Sequence, residues 1–166
     1  MVLLILPPAI CLHLKDAIIK IGMWGAMVGT LHEIVMPPTP TDLVSIKIKS
    51  IDTIDRLTFT YKDTTGTQTT MSWGGDLGDD HPEFKLNPNE YVNHVYGTVG
   101  PFATQGLCYT VNSITFVTNQ GRKYGPWGTR GSSDAAFDLP LEKGRIVGFY
   151  VRADNFISGI GFYVRP

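Results

Sequence analysis

Three times along this chain a tryptophan-glycine pair is followed by a short turn and a second glycine: IGMWGAMVGT at 21–30, MSWGGDLGDD at 71–80 and YGPWGTRGSS at 124–133. The tryptophans Trp24, Trp73 and Trp127 stand 49 and 54 residues apart. A second similarity closes each copy. IDRLTF at 54–59, VNSITF at 111–116 and ISGIGF at 157–162 all place an apolar residue, another three on, and a Phe two further on. Self-similarity at such a period signals one supersecondary unit repeated, none of which buries its apolar face alone. A unit of roughly 50 residues holds about four short strands, and a lone sheet with one apolar face is marginal in water. Three equivalent sheets around a common axis solve that problem, so an all-β domain is expected.

Composition agrees with a strand-and-turn chain. The 166 residues suit one domain with one core, and 18 glycines and 11 prolines punctuate segments rich in β-branched and aromatic residues. In LVSIKIKS at 43–50, alternation sets Val44, Ile46 and Ile48 on one face and Ser45, Lys47 and Lys49 on the other, a solvated face with no binding role. Fourteen basic residues against 15 acidic ones leave a net charge of −1 with no basic block, which argues against nucleic acid as a partner. Cys11 and Cys108 lack metal-ligand spacing and read as free thiols. The apolar start MVLLILPPAICLHL has no basic residue before it and is broken by Pro7 and Pro8, unlike a secretory signal, and it is too short to span a membrane. Residues 1–17 are therefore taken as a non-core extension and 18–166 as the folded domain.

Rival chemistries find little support. GTRGSS at 128–133 lacks the Gly-Lys-Ser/Thr ending of a phosphate loop, and no Gly-x-Ser-x-Gly elbow occurs. Asp76, Asp79, Asp80, His81 and Glu83 offer oxygen ligands without the spacing of a calcium loop, so a solvated acidic loop is preferred. His13, His32, His81 and His94 have no ligand spacing and no nucleophile nearby in sequence, and are read as structural or exposed. Neither an NTPase nor a hydrolase is supported, and no metal or cofactor is expected.

The segments KIGMWGAMVGT, YGPWGTRGSS and FDLPLEKGRIVGFYVRADNFISGIGFYVRP resemble a jacalin-related lectin domain of the mannose-binding plant (monocot) type, over 18–166. The resemblance implies a β-prism of three four-stranded Greek-key sheets with pseudo-threefold symmetry, no catalysis, and binding of mannose- or glucose-containing glycans at one end. It also implies a plant defence or stress role, a homodimer or higher oligomer, and a cytoplasmic or nuclear location, with secretion the alternative should the N-terminal stretch act as a signal.

A sugar site needs a carboxylate to accept from adjacent hydroxyls and backbone amides to donate back, with glycines letting the backbone approach. In the family's main site the first Trp-Gly loop faces a C-terminal segment reading Gly, three residues, Asp. Here Gly29 matches the loop glycine, and the C-terminal segment contains Asp154, Asn155, Phe156 and Ser158. Asp154 stands at the glycine place and Ser158 at the aspartate place, while Ala26 and Val28 replace usual glycines, so this site is expected to be weakened or altered. Asp154 is read first as a loop cap and only second as a ligand group. In the corresponding second site, SIDTID at 50–55, Asp52 and Asp55 fit the pattern, Thr53 supplies an amide and Gly78 is the partner glycine. Ile51 departs at the glycine place and would be strained if that place requires positive φ. This second site is favoured, against the plain alternative that both aspartates bond their own turn. A third combination, 108–112 with 127–132, has Asn112 at the aspartate place but follows the longer, dissimilar GPFATQGLCYT at 100–110, and is set aside. The rival to sugar binding is a scaffold for protein interaction that has lost its sugar sites.

Overall fold

The computed structural model describes residues 17–166. The expected N-terminal extension, Ala17 apart, lies outside the described residues, as do Cys11 and His13. Thirteen strands follow in order: β1 (Ile19–Gly25), β2 (Thr30–His32), β3 (Pro40–Ser50), β4 (Ile54–Asp63), β5 (Gln68–Gly74), β6 (Asp79–Asp80), β7 (Phe84–Lys85), β8 (Val92–Phe102), β9 (Leu107–Thr118), β10 (Lys123–Gly128), β11 (Ala135–Pro140), β12 (Arg145–Ala153) and β13 (Ile157–Arg165). A single 3-10 turn, Ala103–Gln105, interrupts them, so the all-β expectation holds for the described residues.

Hydrogen bonding groups the strands as β2, β12, β13 and β1; as β6 and β7 beside β3, then β4 and β5; and as β11, β8, β9 and β10. The first and third groups are joined through one residue pair, Ile146 with Val92. By strand pairing there are thus two sheets, of eight and five strands, where the repeat suggested three. The reason is local: β12 and β8 come close enough at one corner to share a bridge.

The sequence repeat is reproduced residue for residue in the pairing. Trp24 faces Ile160 and Gly25 faces Gly159; Trp73 faces Leu57 and Gly74 faces Arg56; Trp127 faces Ile114 and Gly128 faces Ser113. Each motif glycine has positive φ (+99°, +108° and +75°), and a Cβ there would overlap the carbonyl oxygen of Ser158, Asp55 or Asn112 respectively. These three residues are the ones at the aspartate place of each copy, so the Trp-Gly turn and the acceptor position are locked together by backbone contact. The first and third copies carry a bulge before the tryptophan, at Ile21/Trp24 and Tyr124/Trp127. The second copy runs without one.

The apolar positions that end each copy form the core. Ile54, Leu57, Phe59, Val111, Ile114, Phe116, Ile157, Ile160 and Phe162 are all buried. Phe149 of β12 contacts the phenylalanine of every copy, at 4.9 Å from Phe59, 5.9 Å from Phe116 and 5.8 Å from Phe162, each in an edge arrangement favoured by ring quadrupoles. The indoles lie over this core, Trp24 stacked on Phe137, Trp73 edge-on to Phe59 and Trp127 stacked on Phe84. One expected alternation is corrected. Val44 is only partly buried because a register shift between Leu43 and Ser45 turns Leu43 inward in its place. Lys47 and Lys49 lie on the outer face as expected, Lys47 pairing with Asp80 at 3.0 Å and Lys49 donating to the Asp76 carbonyl at 3.0 Å, but Ser45, expected to be solvated beside them, is buried and donates to Glu83 Oε1 at 2.6 Å.

Candidate functional site

The loops leaving the Trp-Gly strands and the loops entering the repeated strands are stitched together across copies. Gly75 N donates to the Asn155 carbonyl at 3.1 Å, and Thr129 N to the Asp52 carbonyl at 3.2 Å. The buried Thr53 hydroxyl donates to the Val111 carbonyl at 2.9 Å. These bonds gather segments distant in sequence around three neighbouring cavities.

The second-site residues lie together. Asp52, Thr53, Asp55 and Gly78 line one cavity of about 270 Å³, with Ile51, Leu77, Phe102, Gln105 and Phe156 completing its wall. Asp55 is 3% exposed, and its carboxylate lies against Gly78 so closely that any Cβ there would overlap Oδ2. Burial pushes the Asp55 carboxyl above the usual carboxylate range, and the neighbouring Asp52 charge adds to this; the Ile51 N–H and the Lys49 charge pull the other way. The Ile51 N–H bond is the turn bonding weighed earlier, yet the carboxylate still borders the cavity. The feared strain at Ile51 is not present: Asn89 is the one non-glycine residue with positive φ among the described residues.

The main-site residues also meet, in an adjoining cavity of about 320 Å³ lined by Asp154, Asn155, Phe156 and Ser158 with Val28, Gln105 and Leu107. Gly29 is not part of that lining; it lies in the left-handed region at φ +89° beside Ala153 and Asp154. Asp154 Oδ1 accepts from Thr30 N at 3.2 Å and from Thr30 Oγ1 at 2.9 Å, so this carboxylate ties the first loop to the C-terminal one. Ala26 N donates to the Ser158 carbonyl at 2.9 Å. The Ser158 hydroxyl is left as the weak substitute for a charged acceptor.

The third position is filled from within. Asn112 Nδ2 donates to Asp134 Oδ1 at 2.9 Å and its Oδ1 accepts from Thr110 Oγ1 at 2.6 Å, while Asp134 Oδ2 accepts from Gly131 N and Thr98 Oγ1. Its cavity of about 250 Å³ retains Asp52, Phe102 and Thr129 on the wall.

Sequence reading missed the segment at the centre. From the set-aside stretch 100–110, Gln105 lines both the second-site and main-site cavities, Phe102 lines the second-site and third cavities, and Phe102 contacts Phe156 edge-on at 5.3 Å. The signal was the extra length of that stretch with a Phe among turn residues. A larger groove, about 590 Å³, runs over the outer face of β8 to β11 past Tyr96, Arg130 and a His94–Asp138 pair, and contains none of the loop carboxylates singled out. The acidic loop is engaged by cations, Asp76 with Arg56 at 2.8 Å and Asp80 with Lys47. His81 bonds the Ser50 hydroxyl at 2.8 Å, and Cys108 is exposed and free. Among the described residues no helix is long and apolar enough to cross a membrane.

An all-β domain whose repeated turns converge on sugar-sized cavities with a buried carboxylate defines the class of protein. Residues 21–163 match the jacalin-like lectin domain, and the chain belongs to that family, whose members are non-enzymatic carbohydrate-binding proteins. It is 34% identical over 153 residues to horcolin of Hordeum vulgare, covering 89% of this chain and 97% of that protein. It is 28% identical over 152 residues to the mannose/glucose-specific lectin of Parkia platycephala, of which it spans 32%. The fold superposes with a TM-score of 0.82 on a mannose-binding jacalin-related lectin from Ananas comosus, at 35% identity over 90% of this chain and 98% of that one. Malaysian banana lectin gives a TM-score of 0.79 at 33% identity, over 90% of this chain and 99% of that chain.

Proposed function

We propose that this protein is a lectin for mannose- or glucose-type glycans, built as a three-sheet β-prism, whose working site is the cavity of Asp52, Thr53, Asp55 and Gly78. The observation that carries the reading is Asp55, a buried carboxylate facing a cavity, with no ion pair neutralising it among the described residues. Vicinal hydroxyls of a pyranose donate to it, and hydrogen bonds to a charged group contribute about 1.5–3 kcal/mol each. The cavity of Asp154, Asn155, Phe156 and Ser158, beside Gly29, is a weakened site, since its aspartate place holds Ser158 and Asp154 Oδ1 is tied to Thr30. The three strand groups meeting at Phe149 support the prism, and the mannose-binding lectins of similar fold support the ligand. Millimolar affinity, roughly 4 kcal/mol, is the scale for one shallow site, and assembly into oligomers would raise avidity without new contacts.

The test is titration calorimetry with methyl α-mannoside and a glycan array. Binding that Asp55→Asn weakens about tenfold, the cost of one charge-assisted bond, supports the reading. Clean flow-through on every glycan would leave the protein-interaction scaffold instead.

A further inference from the structure

The groove of about 590 Å³ over the outer face of β8 to β11 shares no lining residue with the three loop cavities and has no part in the lectin reading. Strand register fixes its layout. At its middle Tyr96 pairs with Thr115, and the bulge between Tyr124 and Trp127 sets Pro126 across from Thr115 on the other side. Toward one end Thr98 pairs with Ser113 and Ser113 with Gly128, just before Arg130. The His94–Asp138 pair marks the other end, roughly 13 Å along β8 from Thr98 at a strand's ordinary rise per residue.

Three features define what fits there. The lining surface is mostly apolar, with Tyr96, Pro126 and Ala136 on it, as in cavities that take small organic molecules. Thr115 is 1% exposed, yet no described residue hydrogen-bonds its hydroxyl, whereas Thr98 Oγ1 bonds the Ser113 hydroxyl at 2.8 Å and Asp134 Oδ2 at 2.9 Å. A buried hydroxyl without a partner is costly, and an oxygen of a bound molecule would satisfy it. The charges are also unequal. Asp138 is met by His94, and Asp134 by Asn112, Thr98 and the Gly131 N–H. Among the described residues no carboxylate lies within ion-pair distance of Arg130, or of Lys123, whose Nζ stands 5.5 Å from the Tyr96 ring. We propose that this groove binds a small hydroxylated aromatic carboxylate, its ring on Tyr96 and Pro126, its carboxylate on Arg130 and its hydroxyl on Thr115. The site is independent of the sugar cavities.

Calorimetry on the full chain with 6-hydroxy-2-naphthoate, 2-naphthoate and 6-hydroxy-2-naphthamide tests this. The hydroxynaphthoate should bind about fivefold more tightly than the amide, the scale of one exposed ion pair, and severalfold more tightly than the naphthoate without a hydroxyl. Arg130→Gln, at an exposed position, should abolish the first difference, and Thr115→Val, which keeps the side-chain shape, the second. Methyl α-mannoside at millimolar concentration should displace none of the three. Absence of binding at millimolar ligand, equal affinity for acid and amide, an acid preference that survives Arg130→Gln, a hydroxyl preference that survives Thr115→Val, or displacement by the mannoside each overturns the proposal.

Discussion

Enclosing the Asp55 carboxylate has a cost in stability that the fold bears for the sake of its cavity. Burial raises its pKa above the unfolded value, so the native state holds the proton longer than the unfolded chain does. Stability therefore falls as pH rises from the ordinary carboxylate range through the raised folded value, and stays lower at neutral pH. Asp55→Asn should accordingly melt at the same or higher temperature than the wild type at pH 7, with the difference closing below the ordinary carboxylate range, even as mannoside affinity drops about tenfold. Calorimetric melts across pH check this, and a variant that loses affinity together with several degrees of Tm at pH 7 would mark Asp55 as a structural residue. Ser158 poses the converse case. Its hydroxyl borders a cavity without a charged acceptor, so Ser158→Asp should strengthen methyl mannoside binding severalfold, measured by the same titration, at a position already half open to water. That Asp52, Thr53, Asp55 and Gly78 come together around one cavity was legible in sequence because the acceptor and glycine positions recur at fixed places in each copy. That Ile51 sits there without strain was not, since φ at one loop residue depends on how the neighbouring copy holds the loop.

The Trp-Gly strand is the element that sets the site, and its glycine is the least replaceable residue in it. At Gly74 a methyl group would overlap the Asp55 carbonyl oxygen in a backbone conformation with φ +108°. Gly74→Ala should cost about 3 kcal/mol or more, combining strain and displacement of a paired strand. Gly106 is the control: its φ of +64° is also left-handed but nothing lies within 4 Å of an added Cβ, so Gly106→Ala should cost only the conformational penalty, about 1–2 kcal/mol. Urea unfolding of the two variants separates the terms. A second element, the turn ending at Glu90, is held by its carboxylate. Burial alone would raise the Glu90 pKa, but the Asn87 N–H, the Thr118 hydroxyl and Arg122 together hold it below the usual range. A depressed native pKa gives stability that is present above the unfolded value and lost as pH falls through the folded one, so Glu90→Gln should flatten the acid limb of the stability profile in urea titrations below pH 5. Strand identity was readable from apolar spacing, but the inward turn of Leu43 at Val44's expense was not. A bulge changes which side chain faces the core without altering composition. The turn at 103–105 was invisible as a site element for a similar reason: its role comes from where two other loops put their cavities.

At the scale of the molecule, repetition made the all-β class readable, because repeated strand patterns each leave an apolar face that must be buried against the others. What repetition could not specify is the single bridge between Ile146 and Val92 that joins two strand groups by strand pairing, while the third is tied to them by loop hydrogen bonds and side-chain packing. The five-strand group, β3 to β7, depends on those loop bonds and on the core where Phe59 meets Phe149. Phe149 lies fully buried among the phenylalanines of all three copies, and removing it opens a cavity that none of the three groups can fill alone. Truncation of a buried Phe to Ala costs about 3–5 kcal/mol, a large share of the 5–15 kcal/mol that holds a domain of this size. If the groups unfold as one body, Phe149→Ala should lower the urea midpoint with an unchanged m-value and a single transition seen alike by tryptophan fluorescence and far-UV circular dichroism. Since Trp73 rests on Phe59 and Trp127 on Phe84, both phenylalanines of the five-strand group, a separately melting five-strand group would appear as an early fluorescence change ahead of the dichroism change. Two separated transitions would show that the copies are linked only loosely, and that the site, drawn from all three, is less firmly held than a common core implies.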